Sequence, residues 1–145
     1  MNYILLFAFT LCETFILSVI CAGYPSSVVL QAAGATTGVT VALTAYACMT
    51  KTDFTVCGGL MAILSIVLLT LILSMMFFSF AVWWHPFVSA ILVVFYGLFL
   101  IYDTQLIAGG HKYELSLDDY IIGALMLYTD IILIFLELLK LFGRS

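Results

Sequence analysis

Five long apolar runs, separated by short polar segments, make up the chain. The separating segments read GYPSS, TKTDFT, WWHP and GGHKYELSLDD, and they hold the Gly, Pro and charged residues typical of helix ends and turns. A bilayer core about 30 Å thick needs roughly 20 helical residues, so each run is long enough to cross it. The pattern predicts five transmembrane helices, which cover residues 3–22, 28–49, 57–82, 86–108 and 120–142.

Strands are not expected, because the apolar runs are continuous and do not alternate with a period of two. Composition supports a membrane protein: 66% of the residues are hydrophobic, 8% are charged, and the mean hydropathy is +1.29. Soluble domains carry about 25% charged residues. We therefore predict an all-α integral membrane protein with a single membrane domain over residues 1–145. Its expected partner is the lipid bilayer. Nucleic acid is not an expected partner, because the chain has only four Lys and Arg residues.

The first run has one feature of a signal peptide, since small residues follow it at VICAGY. However, it lacks a basic start, its apolar stretch is too long, and Glu13 lies in its middle. We therefore predict that the first run is a membrane span that stays in the mature protein, and not a cleaved signal peptide. Five spans place Lys51 and Lys112 on one side of the membrane and Lys140 and Arg144 on the other, so positive charge does not set the orientation.

Small residues on the second run predict a close helix contact. Gly34 and Gly38 are four positions apart, with Ala42 one turn further on, so a neighbouring backbone can approach this face. The spacing does not identify the neighbour. The cysteines have no metal-ligand spacing, and we expect them to act as small apolar residues of the spans.

Four of the eight acidic residues fall inside the predicted spans: Glu13, Asp103, Asp130 and Glu137. An ionised carboxylate at the bilayer centre costs about 2.5–3.5 kcal/mol on insertion scales. Such groups are expected to face the bundle interior, to be protonated, to pair with each other, or to hold a cation. The only base inside the spans is Lys140, close to an end.

Seven-residue spacing places these carboxylates on two polar faces. The fourth span carries Ser89, Tyr96 and Asp103 on one face, and the fifth carries Gly123, Asp130 and Glu137. The two spans should form an antiparallel hairpin whose polar faces meet, although Asp130 lies roughly 8 Å deeper than Asp103 by residue rise.

Two carboxylates brought together in a low dielectric share one proton and titrate as a pair. Asp103 and Asp130 would then form a pH-sensitive latch. Deprotonation would push the helices apart and leave oxygen ligands suited to transient binding of a hard cation such as Ca²⁺. The alternative is two separate polar residues, each bonded to a nearby hydroxyl. Spacing alone does not choose between them.

The other polar residues of the spans have two interpretations each. Glu13 either lines a cation pathway or bonds to another helix. Glu137 either belongs to that pathway, together with Tyr96, or extends its carboxylate to the membrane interface, which its position one turn from the end favours.

Four segments resemble the transmembrane Bax-inhibitor-motif family, and its Lifeguard branch most closely. They are NYILLFAFTLCE (2–13), TKTDFT (50–55), IYDTQLIAGGHKYELSLDDYI (101–121) and LMLYTDIILIFLELL (125–139). The resemblance implies a seven-helix fold whose last helix lies inside a ring of six. The match begins at what would be the third span, so the five predicted helices correspond to part of that fold and the first two spans are absent.

Function is also implied by the resemblance. Family members lie in endoplasmic reticulum, Golgi or plasma membranes, let Ca²⁺ leak from stores and restrain apoptosis. By the motifs YDTQ and YTDII, the family's pH-sensing aspartates correspond to Asp103 and Asp130. By the motif FTLCE, the acidic residue of that stretch corresponds to Glu13. The 109–119 loop would face the cytosol. The expected partners are Ca²⁺ as the permeant ion, protons, apoptosis regulators, other channels and further copies of the chain. No cofactor is expected.

Two other classes of function compete with the leak. A non-conducting protein that regulates channels or death factors fits the same sequence. An intramembrane aspartyl protease shares the Tyr102-Asp103 pair, but its second motif, Gly-x-Gly-Asp, is replaced by the residues at 127–130, which read LYTD, and no Pro-Ala-Leu follows. We therefore do not expect an enzyme.

Overall fold

The computed structural model describes the backbone of residues 2–77, 85–116 and 119–143. Within these ranges it has five long helices and no strand, and each helix has the length and apolar composition needed to cross a membrane. The prediction of an all-α, five-helix membrane protein is confirmed. The helices are α1 (Asn2–Ala22), α2 (Ser26–Met49), α3 (Gly58–Phe77), α4 (His85–Ala108) and α5 (Tyr120–Phe142), and a short 3₁₀ helix (Phe54–Cys57) precedes α3.

The ends of the helices follow local chemistry. α2 begins two residues before the predicted run, because the carbonyl of Pro25 accepts hydrogen bonds from the amides of Val28 and Val29. Proline suits this position, since its fixed φ, here −58°, leads into the first helical turn. The predicted end of the third run, at residue 82, lies outside the described residues.

The core is an antiparallel hairpin of α4 and α5, with α2 packed across both helices. The hairpin closes tightly at Gly123, where an added Cβ would lie 3.0 Å from Cγ1 of Ile107. A similar approach joins α2 to α4, because a Cβ at Gly97 would lie 3.0 Å from Cδ1 of Leu43. The buried apolar side chains that fill the core include Ala32, Leu92, Leu100, Ile134 and Leu139.

Helix α1 lies at the edge of the bundle and contacts α5. The hydroxyl of Tyr120 donates to that of Tyr3 at 2.6 Å, and the rings of Phe9 and Tyr128 pack edge to face with centroids 6.0 Å apart. Most other side chains of α1 are exposed, large apolar ones among them. In water this surface would be costly, whereas in a bilayer it contacts lipid. The chain is a multi-pass membrane protein.

Gly34 and Gly38 do not make the contact predicted for them within the described part of the chain. Both are exposed, and a Cβ added at either would have no atom within 4 Å. Helix α2 turns a different face to the bundle, with Ala32 and Thr36 buried. The described helices approach each other closely at Gly97 instead. Packing at Gly34 and Gly38 stays a prediction that concerns a neighbour outside the described residues.

Candidate functional site

Asp103 and Asp130 face each other inside the α4–α5 hairpin. Each is only 7% exposed, and the two carboxyl groups are close enough to share a hydrogen bond when one carries the proton. Oδ2 of Asp130 is buried without a hydrogen-bond partner among the described residues. The seven-residue spacing thus predicted the correct faces, while the role of the pair as a pH sensor stays a prediction.

The connection between the helices reduces the expected difference in depth between the two aspartates. The amide of Leu115 donates to the carbonyl of Leu106 at 2.9 Å, so the loop folds back along the end of α4. Helix α5 therefore starts beyond the end of α4, and Gly123 rather than Tyr120 lies beside Ile107. Counted from this contact, Asp103 is four residues away along α4 and Asp130 is seven residues away along α5, so the expected difference of roughly 8 Å falls to about 4.5 Å.

A cavity of about 270 Å³ reaches Asp130 from the side. It lies between α3, α4 and α5, and its polar lining comes from Ser65, Tyr96 and Asp130. The remaining lining is apolar: Leu68, Leu69, Ile72, Phe99 and Leu133. A space of this size holds several water molecules where polar groups are available to bind them. Ser65, Tyr96 and Asp130 supply such groups.

The polar faces continue along the hairpin to Tyr96 and Glu137. Both are buried, and the carboxylate of Glu137 lies near the Tyr96 ring. Glu137 is seven residues beyond Asp130, about 10.5 Å along α5. We call the set Asp103, Asp130, Tyr96 and Glu137 the polar seam. It joins the residues that the spacing assigned to the two faces.

The favoured interpretation of Glu137, a carboxylate extended to the membrane interface, is wrong. Its side chain is 7% exposed and accepts a 2.6 Å hydrogen bond from Nζ of Lys140, whose own side chain is 55% exposed. Glu137 lies on the core side of α5, and Lys140, one turn further on, supplies the positive charge from the outside. It is the lysine that extends outward.

Glu13 lies apart from the polar seam. It is half-buried on α1, and its carboxylate lies close enough to the Tyr128 hydroxyl to interact with it electrostatically. Because Tyr128 and Asp130 are two positions apart, they project from nearly opposite sides of α5. The structure does not bring Glu13 to the aspartate pair, and its part in a cation pathway stays a prediction.

The sequence interpretation did not assign a role to Asp53, which joins two loops. Its Oδ1 accepts from the amide and hydroxyl of Thr55 at 2.9 and 2.5 Å, and its Oδ2 accepts from the amide of Lys112 at 3.0 Å. Nδ1 of His111 lies 3.7 Å away. The hydrogen bond from the Thr55 hydroxyl, followed by that from the Lys112 amide, holds the pKa of Asp53 below its usual value. Asp53 is the N-cap residue of the short 3₁₀ helix, and Asp is a preferred residue at that position, which identifies the local part of this contact.

Gln105 was missed as well. Its side chain is fully buried, and its Nε2 donates to the carbonyls of Ala47 and Thr52 at 3.1 and 3.0 Å. Its Oε1 accepts from the amide of Phe54 at 2.8 Å. One amide thus joins α4 to the end of α2 and to the loop before α3. An amide within an apolar run was the available signal, since such a group needs partners.

A family model described as inhibitor of apoptosis-promoting Bax1 matches residues 1–145 of the chain. The chain that carries the polar seam therefore belongs to the Bax inhibitor family, and the resemblance seen in the sequence is confirmed.

The relatives of the chain include the Lifeguard proteins. Protein lifeguard 3 of Homo sapiens is 41% identical over 145 residues, which are 98% of this chain and 47% of that protein. Protein lifeguard 3 of Mus musculus is 40% identical with the same coverage, and Protein lifeguard 4 of Mus musculus is 39% identical over 97% of this chain and 57% of its own length. The chain spans about half the length of the curated relatives it matches.

Proposed function

We propose that the protein takes part in a pH-sensitive leak of Ca²⁺ across an intracellular membrane, with Asp103 and Asp130 as the latch. The observation that carries this proposal is the buried pair itself, in which one carboxylate oxygen has no hydrogen-bond partner among the described residues. A shared proton joins the two helices, and its loss leaves two like charges in a low dielectric. Their repulsion separates α4 from α5, so the latch opens as the pH rises.

The chemistry of the polar seam fits a hard cation as the permeant species. Carboxylate and hydroxyl oxygens are the ligands that Ca²⁺ prefers, and it takes about 6–8 of them. The pair supplies at most four oxygens, so water in the adjoining cavity completes the shell. Such incomplete protein coordination favours passage over retention. Glu137, with Tyr96, offers a further carboxylate along the seam, and Glu13 offers another beside α5.

The biological role follows from the family. The family is described as inhibitors of apoptosis-promoting Bax1, and a lower Ca²⁺ content of internal stores is the means we propose for this chain. The endoplasmic reticulum or Golgi membrane, or the plasma membrane, is the proposed location. Apoptosis regulators or other channels are proposed as protein partners, and no catalytic activity is included.

The test is Ca²⁺ flux through purified protein in liposomes, measured across pH. Asp103→Asn and Asp130→Asn should each flatten the pH dependence, and the double variant should add little further, because either change removes the shared proton. Additive effects would show that the residues do not titrate together. An absence of flux in the parent protein would reject the leak and leave a non-conducting regulator as the function to pursue.

A further inference from the structure

Two loops lie at one end of the bundle, which we call the mouth. They are residues 50–57, between α2 and α3, and residues 109–116, between α4 and α5. Side chains of Asp53, Thr55 and Gln105 bind these loops to each other and to α4. We propose that these three side chains, the mouth clamp, are positioning residues that set the relation of Asp103 to Asp130 and close the pair off from the loop side. Their effect on ion flow rests on the proposed function; their effect on the protonation of the pair does not.

Gln105 fixes the end of α4 that carries Asp103. The two residues are two positions apart on one helix, and all three hydrogen bonds of the Gln105 amide go to backbone atoms outside α4. A rotation or axial shift of this end of α4 would break those bonds inside a buried site. Separation of Asp103 from Asp130 by movement of α4 therefore requires the clamp to release first.

Thr55 and Asp53 extend the clamp to the second loop. The fully buried hydroxyl of Thr55 donates to Asp53 and accepts from the amide of Tyr113 at 3.2 Å, beside the bond from the Lys112 amide to Asp53. The second loop is itself tightly turned. Its two glycines have φ of +71° and +75°, and the second donates its amide to Oε2 of Glu114 at 2.8 Å. The two loops therefore form one unit.

The chain just beyond Thr55 also contacts Tyr102, the residue next to Asp103. A Cβ added at Gly58 would lie 3.1 Å from Oη of Tyr102, and the thiol of Cys57 is an electrostatic neighbour of the same hydroxyl. Release of the loop before α3 would thus expose Cys57 and free Tyr102 together. The titratable groups around these positions are Asp130 and Tyr102 beside Asp103, Cys57 and Tyr113 beside Tyr102, and His111 beside Asp53.

Thr55 allows a matched test. Thr55→Val keeps the branched shape but removes the hydroxyl, and Thr55→Ser keeps the hydroxyl. Gln105→Met is a similar shape-matched change, and Thr50→Ala is the control, because it removes only an exposed bond within the same loop. All variants carry Cys57 as their single cysteine. The first measurement is the rate at which a membrane-impermeant reagent labels Cys57. The second is the pH midpoint at which the infrared carbonyl band of the protonated aspartate pair disappears. This band is assigned by its loss in Asp130→Asn.

We expect Thr55→Val and Gln105→Met to raise the labelling rate about tenfold, because the reaction of a half-buried thiol follows the population of the open loop. They should also shift the infrared midpoint by about one pH unit, since a displaced neighbour changes the interaction between the two carboxyls. Thr55→Ser and Thr50→Ala should match the parent in both measurements. Asp53→Asn, which can keep Oδ1 as an acceptor for Thr55 but loses the acceptor for the Lys112 amide and the negative charge beside His111, gives a milder variant if the others fail to fold.

An infrared midpoint that stays at the parent value in every clamp variant would overturn the positioning role. An unchanged labelling rate would overturn closure at the mouth. Neither measurement needs ion flux, so a protein that does not conduct Ca²⁺ would refute the proposed function and leave the clamp decided by these two results.

Discussion

The ion pair of Glu137 and Lys140 gives a quantitative prediction. Lys140→Met removes the ammonium that lies 2.6 Å from Oε1 of Glu137 and keeps most of the aliphatic stem. Breaking a fully buried pair costs about 3–5 kcal/mol, whereas an exposed pair is worth about 0–1 kcal/mol. Here the carboxylate side chain is 7% exposed and the lysine side chain is 55% exposed. We therefore expect a loss of about 1–2 kcal/mol in the free energy of unfolding at neutral pH.

The assay is reversible unfolding in mixed micelles, arranged as a double-mutant cycle with Glu137→Gln. In the Glu137→Gln background Lys140→Met should cost almost nothing, because a neutral amide needs no counter-charge; the coupling should therefore be about 1–2 kcal/mol. The control is Lys112→Met, on an exposed loop, which we expect to change stability by less than about 0.5 kcal/mol. Additive single effects, or an Lys140→Met variant as stable as its parent, would refute the argument that Glu137 depends on this lysine.

Three further predictions concern single positions. Because the pKa of Asp53 is lowered in the folded protein, the stability that its hydrogen bonds contribute is present above the ordinary carboxyl pKa and is lost as the pH falls through the folded pKa. Hydrogen exchange of the Lys112 amide, corrected for the intrinsic effect of pH on exchange, should therefore accelerate below about pH 4. The same acceleration in Asp53→Asn would contradict this. Glu13→Gln should reduce Ca²⁺ flux while folding is retained, and unchanged flux with normal expression would make Glu13 structural. A cysteine placed in loop 111–118, with the native four removed, should react with an impermeant reagent only from the cytosolic side; labelling from the lumen would reverse the orientation.

The spacing of residues along single helices was enough to predict the centre of the site. Asp103 and Asp130 were identified because residues seven apart share a helix face, and because a carboxylate in an apolar run must face something other than lipid. The helices themselves follow from hydropathy and from Gly, Pro and charged residues at their ends. These signals are local, and the sequence contains them in full.

Contacts between distant segments could not be predicted. Gln105 binds Phe54 across 51 positions, and Asp53 binds Lys112 across 59, so no local pattern pairs them. Gly34 and Gly38 show a related limit, since small residues permit a close approach without naming a neighbour. The position of Glu137 depended on how α5 rotates and on where Lys140 then points, and both are set by packing.

Helix α5 has no exposed position from Asp130 to Leu139. A helix that is at least partly covered at every position has no fully exposed stripe where side chains can vary freely. A saturation library should therefore show uniformly low substitution tolerance across these ten positions, without the three-to-four-residue rhythm of tolerant sites that α1 should display on its lipid side. For anyone engineering this protein, α1 is the helix to recode for labels or fusions, and the second half of α5 is the segment to leave untouched.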